Sequence, residues 1–82
     1  MSETSTLTPA KEIAQINRRI GVLIQRQIKI RKNLVSLALI AGSESWTQEK
    51  YDSERRLPLR RLDSAHTEIV SLTRRLEQLK KA

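Results

Sequence analysis

A long series of apolar residues at alternating three- and four-residue spacings constrains this chain most strongly. The series runs from Ile13 to Ala41 through about four heptads, and Gln27 is its one polar member. This spacing places the series along one side of an α-helix, as in helices that pack against each other. We predict a first helix of about 33 residues, which begins at Thr8-Pro9 and ends at Gly42 in a left-handed cap.

A second heptad pattern fills the end of the sequence. Its a and d positions are Leu62, Ala65, Ile69, Leu72, Leu76 and Leu79. Lysines in the last turn favour a helix C-terminus, because they complement the helix dipole. Two long apolar seams in one short chain predict a mainly α protein, an antiparallel hairpin of two long amphipathic helices.

The segment between the two patterns, residues 44–60, has two interpretations. Ser45 and Gln48 have the spacing of a helix capping box, which favours a helix that Pro58 breaks or kinks. The alternating residues around Leu57 and Leu59 instead favour a short β-hairpin or an ordered loop, with Pro58 on an edge strand. The pattern leaves both alternatives open.

The size of the chain and a second apolar stripe predict an oligomer. A chain of 82 residues without cysteine has little surface to bury, and Ile24, Ile28, Val35 and Leu39 widen the first seam beyond what one helix covers. We expect a single helical-hairpin domain over residues 8–82, with residues 1–7 as a flexible tail, in an oligomeric bundle. Gln27 either fixes the register of that bundle or reaches water. The residues expected to carry folding and association are Ile20, Leu23, Gln27, Ile30, Leu34, Leu37, Leu62, Ile69, Leu72 and Leu76.

The distribution of charge predicts an anionic partner. The chain has 16 Lys and Arg against 9 Asp and Glu, a net charge of +7, and no acid lies between Glu12 and Glu44. In an antiparallel hairpin, residues whose numbers add up to roughly 88 lie at one level, which brings two basic segments together. The expected partner is an acidic protein surface or a nucleic-acid backbone, and a solvated face is the alternative. The predicted binding residues are Arg26, Lys29, Arg31, Lys32, Arg55, Arg56, Arg60 and Arg61.

The sequence offers no set of residues for catalysis. It has one histidine, no cysteine and two isolated glycines, so neither a metal site nor a phosphate-binding glycine loop is recognisable. We therefore expect no enzyme activity, no cofactor, no metal and no small-molecule substrate. We also expect no membrane segment, because the longest apolar run is far shorter than the roughly 20 residues of a spanning helix.

The order of features in the second half resembles a known family. An apolar helix ends in Ala-Gly, Trp46 follows, and the run RRLPLRRLD leads into a heptad helix. This order is similar to that of small phage head-tail joining proteins of the head-completion type. The resemblance implies two helices around a short hairpin, a ring on the portal and contact with packaged DNA. It implies a virion protein, and otherwise we expect a cytoplasmic one. The alternative function is a small regulator that binds nucleic acid without sequence preference.

Overall fold

A computed structural model of the chain describes residues 8–81, which form two long helices. Helix α1 spans Pro9–Ser43 and helix α2 spans Gln48–Lys81. The two helices pack side by side in opposite directions, and the rod that they form measures 61 × 19 × 18 Å. The predicted class, a mainly α antiparallel hairpin, is confirmed. The predicted tail, residues 1–7, and the last residue lie outside the described part of the chain.

Helix α1 begins as the sequence predicts. The Thr8 hydroxyl accepts a hydrogen bond from the Lys11 backbone N–H at 3.2 Å, which satisfies one of the free donors of the first turn. Pro9 follows at the first helical position, where the missing N–H costs no hydrogen bond. Glu12 lies in the first turn, where the helix dipole favours an acid.

The predicted left-handed cap at Gly42 is wrong. Gly42 is helical, and the residue with positive φ is Ser45, at 55°. Helix α1 continues to Ser43, and the hydrogen bonds that end it are donated by Ser45 and Trp46. There the Trp46 N–H donates to the Ala41 carbonyl at 2.9 Å and the Ser45 N–H donates to the Gly42 carbonyl at 3.4 Å. These are the two hydrogen bonds of a Schellman motif, in which Ser45 takes the position that glycine normally occupies.

Of the two interpretations of residues 44–60, the helical one is correct. Residues 44–47 form a short turn, α2 begins at Gln48, and residues 8–81 contain no strand. The N-cap of α2 is Thr47 rather than Ser45, because the Thr47 hydroxyl accepts from the Lys50 N–H at 3.2 Å. The left-handed backbone of Ser45 excludes it from that role.

Pro58 lies inside α2 without ending it. Proline has no N–H, so the carbonyl four residues earlier, that of Glu54, loses its helical donor. The Pro58 ring is half-buried and faces α1, where it lines a groove together with Leu37 and Ile40. The packing of the Pro58 ring against α1 therefore offsets part of the cost of the missing hydrogen bond.

The buried residues lie along the seam between the two helices. Leu23 is fully buried, and Ile16, Ile30, Ala65 and the polar Gln27 are buried as well. Of the ten residues predicted to carry folding and association, three are therefore buried. The other seven are half-buried: Ile20, Leu34, Leu37, Leu62, Ile69, Leu72 and Leu76.

The second apolar stripe of α1 is not covered by α2. Ile24, Ile28, Val35 and Leu39 are 43%, 38%, 61% and 70% exposed. Their spacing keeps them within about 60° of each other around the helix, and about 120° away from the seam. A single hairpin therefore leaves this stripe in solvent.

Candidate functional site

Two ion pairs join the helices along one side of the hairpin. The Arg75 Nε donates to Glu12 Oε2 at 2.8 Å, and its Nη2 donates to Glu12 Oε1 at 3.3 Å. Seven residues further along α1, the Arg19 Nε and Nη2 donate to the two Glu68 oxygens at 2.7 and 3.1 Å. The residue numbers in each pair add up to 87, so the alignment predicted from the sequence is confirmed.

These contacts change the acidity of the groups that make them. The hydrogen bond from Arg75 lowers the pKa of Glu12, and the hydrogen bond from Arg19 lowers that of Glu68. The pKa values of Arg19 and Arg75 are raised by the same contacts. All four side chains are partly exposed, so each pair contributes only modestly to stability.

A third position in this series holds two arginines. A further step of seven residues places Arg26 of α1 at the level of Arg61 of α2. Both side chains line the same groove, which has a volume of about 400 Å³. We call the three positions, 12 with 75, 19 with 68 and 26 with 61, the charge row. Among residues 8–81, its first two positions hold an acid and a base, whereas the third holds two cations and no ion pair.

The groove at the third position has further polar residues on its walls. Lys29 adds a third cation, and Asn33 and Ser64 add an amide and a hydroxyl. Glu68 lies at one end of the groove, where its oxygens already accept hydrogen bonds from Arg19. Three cations with hydrogen-bond donors beside them form a surface suited to an oxyanion, because guanidinium groups bind phosphate and carboxylate in a bidentate manner.

The eight predicted cations share a level but not a face of the hairpin. Arg26, Lys29 and Arg61 line the groove of the charge row. Arg31 and Lys32 line a different groove, on the exposed stripe of α1. The structure therefore brings only part of the predicted set together.

Arg55 and its neighbours on α2 lie elsewhere. The Arg55 Nη2 donates to Asp52 Oδ1 at 2.6 Å, and its guanidinium lies 4.2 Å from the centre of the Tyr51 ring. The contact with Arg55 lowers the pKa of Asp52, and the charge of Arg56 contributes to that shift. Arg56 and Arg60 are exposed on α2. Arg55 is thus occupied within its own helix, and its neighbours remain available to a partner.

Sequence reasoning missed the charge row and the two polar residues of its groove, Asn33 and Ser64. A usable signal was present, because residues 12, 19 and 26 follow a seven-residue step, as do residues 75, 68 and 61. Charges that repeat with the heptad lie at equivalent positions on the two helices, so their pairing follows from the register.

The described residues contain no group of three or more His, Asp or Glu that could hold a metal ion, and neither described helix is long and apolar enough to cross a membrane. No family model, curated protein or solved structure matches the chain.

Proposed function

We propose that this chain is a non-enzymatic assembly or adaptor module, which self-associates through its apolar faces and binds an anionic partner surface through its cations. The observation that carries the proposal is the third position of the charge row, where Arg26 and Arg61 lie at one groove without an ion pair among the described residues. Two neighbouring cations repel each other, and a bound anion removes that cost.

Self-association is supported by the apolar surface that the hairpin leaves uncovered. Eight large aliphatic side chains are at least 38% exposed in residues 8–81, and four of them form the continuous stripe on α1. Contiguous apolar surface of this kind marks interaction sites in small proteins. A rod of two helices with one narrow seam also has little buried surface of its own, which favours a larger bundle.

Two classes of anionic partner fit the groove. In an assembly module the partner is an acidic protein surface, which the resemblance to head-tail joining proteins would make the portal of a virion; the same resemblance also implies contact with packaged DNA. In a small regulator the main ligand is the phosphate backbone of nucleic acid. The three cations and two polar side chains of the groove favour the second candidate as much as the first.

The test is a pair of charge reversals, Arg26→Glu and Lys11→Glu. Both change the net charge equally, and Lys11 is exposed on the same helix outside the charge row and two turns or more from its groove. Binding of a short random duplex DNA is measured by fluorescence anisotropy at low and moderate salt. We expect Arg26→Glu to weaken binding by about tenfold or more and Lys11→Glu to weaken it much less.

Thermal unfolding of the same two variants supplies the second readout. The Arg26→Glu substitution places an acid opposite Arg61 and so completes the charge row. It also removes the favourable interaction between the charges of Arg26 and Glu68, so this variant should unfold at about the same temperature as the wild type. Equal effects of the two variants on binding would contradict the proposal. Duplex DNA binding whose affinity falls steeply with salt supports nucleic acid as the ligand, whereas binding of poly-glutamate without binding of duplex DNA supports an acidic protein surface.

A further inference from the structure

The exposed stripe of α1 has the same spacing in both directions along the helix. Ile24, Ile28, Val35 and Leu39 are separated by intervals of four, seven and four residues. The midpoint falls between Arg31 and Lys32, which flank the stripe on opposite sides. These two cations, together with Ile28 and Val35, line a shallow groove of about 460 Å³. A symmetric arrangement of this kind is complementary to its own copy when the copy runs in the opposite direction.

We propose that a second copy of this chain docks on the stripe, with α1 packed antiparallel against α1 about a two-fold axis between residues 31 and 32. In this register Ile24 lies opposite Leu39 of the second copy, and Ile28 lies opposite Val35 of the second copy. The inference rests on the proposed function, of which it specifies the self-association surface.

The exposed area of the stripe suits a dimer interface. Four aliphatic side chains that are 38% to 70% exposed present roughly 400 Å² of apolar surface, which is the size of the largest apolar patch on a typical monomer, and such a patch is often functional. Two copies supply roughly 800 Å², and the residues that flank the stripe bring the total toward the roughly 1,200 Å² at which stable interfaces begin.

The two-fold axis also creates a cation site that one copy lacks. It places Arg31 beside Arg31 of the second copy on one flank and Lys32 beside Lys32 of the second copy on the other. No acid lies between Glu12 and Glu44 to neutralise these four charges. A phosphate group bound on either flank would offset the repulsion of the pair there, because arginine and lysine form charge-assisted hydrogen bonds with its oxygens. Dimerisation and phosphate binding therefore strengthen each other.

The first part of the test removes the stripe. The double variant Ile28→Gln, Val35→Gln replaces two apolar contacts per copy with neutral side chains that are compatible with a helix. Its control, Val22→Gln, Ile40→Gln, changes two residues that are 46% and 41% exposed and lie about 130° away on the same helix. Sedimentation equilibrium should show a dimer dissociation constant about 100-fold higher for the stripe variant and little change for the control. Circular dichroism checks that both remain helical.

The second part removes the charges and supplies phosphate. Arg31→Gln, Lys32→Gln should lower the dissociation constant by roughly tenfold at low salt, because the like charges at the axis are gone. Tripolyphosphate should tighten the wild-type dimer and leave this variant unchanged, compared with sodium chloride at the same ionic strength. A short duplex DNA in place of tripolyphosphate shows whether a phosphodiester backbone can bind on either flank.

Several results would overturn the inference. A dimer that the stripe variant leaves intact would do so and leave the proposed function standing, since self-association would then use another surface. A wild-type chain that binds duplex DNA through Arg26 while it remains a monomer would overturn the inference together with the self-association part of the proposed function, and would leave the nucleic-acid-binding alternative. A dimer that weakens when the two cations are removed would show that they contact acidic groups of the second copy rather than each other, which contradicts the proposed register. A monomer that also ignores duplex DNA and poly-glutamate would contradict the proposed function itself.

Discussion

The two halves of the hairpin differ in how many of their charged side chains form ion pairs between the helices and in how much apolar surface they expose. The free half, residues 9–25 with residues 62–81, contains both interhelical ion pairs and the fully buried Leu23. The turn half, residues 26–61, has nine Lys and Arg against four Asp and Glu. It also has six of the eight large aliphatic side chains that the described residues expose. The free half, with seven Lys and Arg against four Asp and Glu, pairs two of its acids across the helices. The turn half has the larger excess of cations and most of the exposed apolar side chains.

The difference has a simple physical origin. Both halves follow one heptad register, so the same packing geometry continues through the hairpin. What changes at the third position of the charge row is residue type, because an acid is absent where the register would pair one with arginine. The heptad register therefore does not require two cations at this position, and the proposed anion site gives them a role.

The largest expected effect is on the free energy of unfolding, when a buried leucine of the free half and an exposed leucine of the turn half are each truncated. Leu23→Ala should lower the free energy of unfolding by about 3 kcal/mol, because the fully buried side chain leaves a cavity. Leu39→Ala, at a position that is 70% exposed, should change it by less than about 0.5 kcal/mol. Urea denaturation at low protein concentration keeps association from adding to either value. Equal losses of unfolding free energy would show that Leu39 is as well packed as Leu23, and so that the turn half does not expose its apolar side chains.

The next effect tests the proline of the turn half. Pro58→Ala should raise the free energy of unfolding by about 1 kcal/mol, because it restores a helical hydrogen bond at the cost of some packing. Pro9→Ala is the control, since a proline at the first helical position removes no bond. Thermal unfolding measures both. A loss of stability in Pro58→Ala would mean that the ring contributes more through packing than it costs.

The turn itself offers two changes of opposite sign. Ser45→Gly should stabilise the chain by up to about 1 kcal/mol, because glycine adopts the left-handed conformation without strain. Thr47→Ala should destabilise it by about 1 kcal/mol through loss of the N-cap of α2. Chemical denaturation measures the change in the free energy of unfolding of each variant. A change of the same sign in both variants would contradict the described turn.

The smallest effect concerns the ion pairs of the free half and their response to acid. The pKa values of Glu12 and Glu68 are lowered from the ordinary value of 4.5, so both carboxylates bind protons less readily in the folded state. Their contribution is present above pH 4.5 and is lost as the pH falls below it through the folded values. Glu68→Gln should therefore reduce the loss of stability in acid.

Glu77→Gln is the control for the acid experiment, because Glu77 is exposed on α2 outside the charge row. Melting temperatures of both variants are compared with the wild type between neutral pH and pH 3. The Arg19–Glu68 pair would contribute nothing measurable if Glu68→Gln and Glu77→Gln responded to acid in the same way.

The helices, their antiparallel alignment and the seam were predictable because heptad spacing is a direct property of the sequence. The end of α1 was not predictable, because Gly42 is a strong local signal for a helix end, and the hydrogen bonds donated by Ser45 and Trp46 place that end three residues later. Pro58 also misleads locally, since its cost depends on packing against α1 that only the tertiary structure reveals.

The sequence predicted at which level along the hairpin the cations of the candidate site lie, but not on which face of each helix. Sequence numbers place Arg26 beside Arg61, but the direction of each side chain around its helix separates them from Arg31 and Arg60. The internal contact of Arg55 with Asp52 and Tyr51 depends on side-chain geometry that composition cannot supply.

The central claim is that the turn half binds the anionic partner, and nuclear magnetic resonance tests it residue by residue. Amide chemical shifts of the ¹⁵N-labelled chain are followed during titration with a short random duplex DNA and, separately, with poly-glutamate. We expect at least one of them to shift the amides of Arg26, Lys29, Asn33 and Arg61 most strongly. Changes centred on the ion pairs of Glu12 and Arg19, or no change with either ligand, would contradict it.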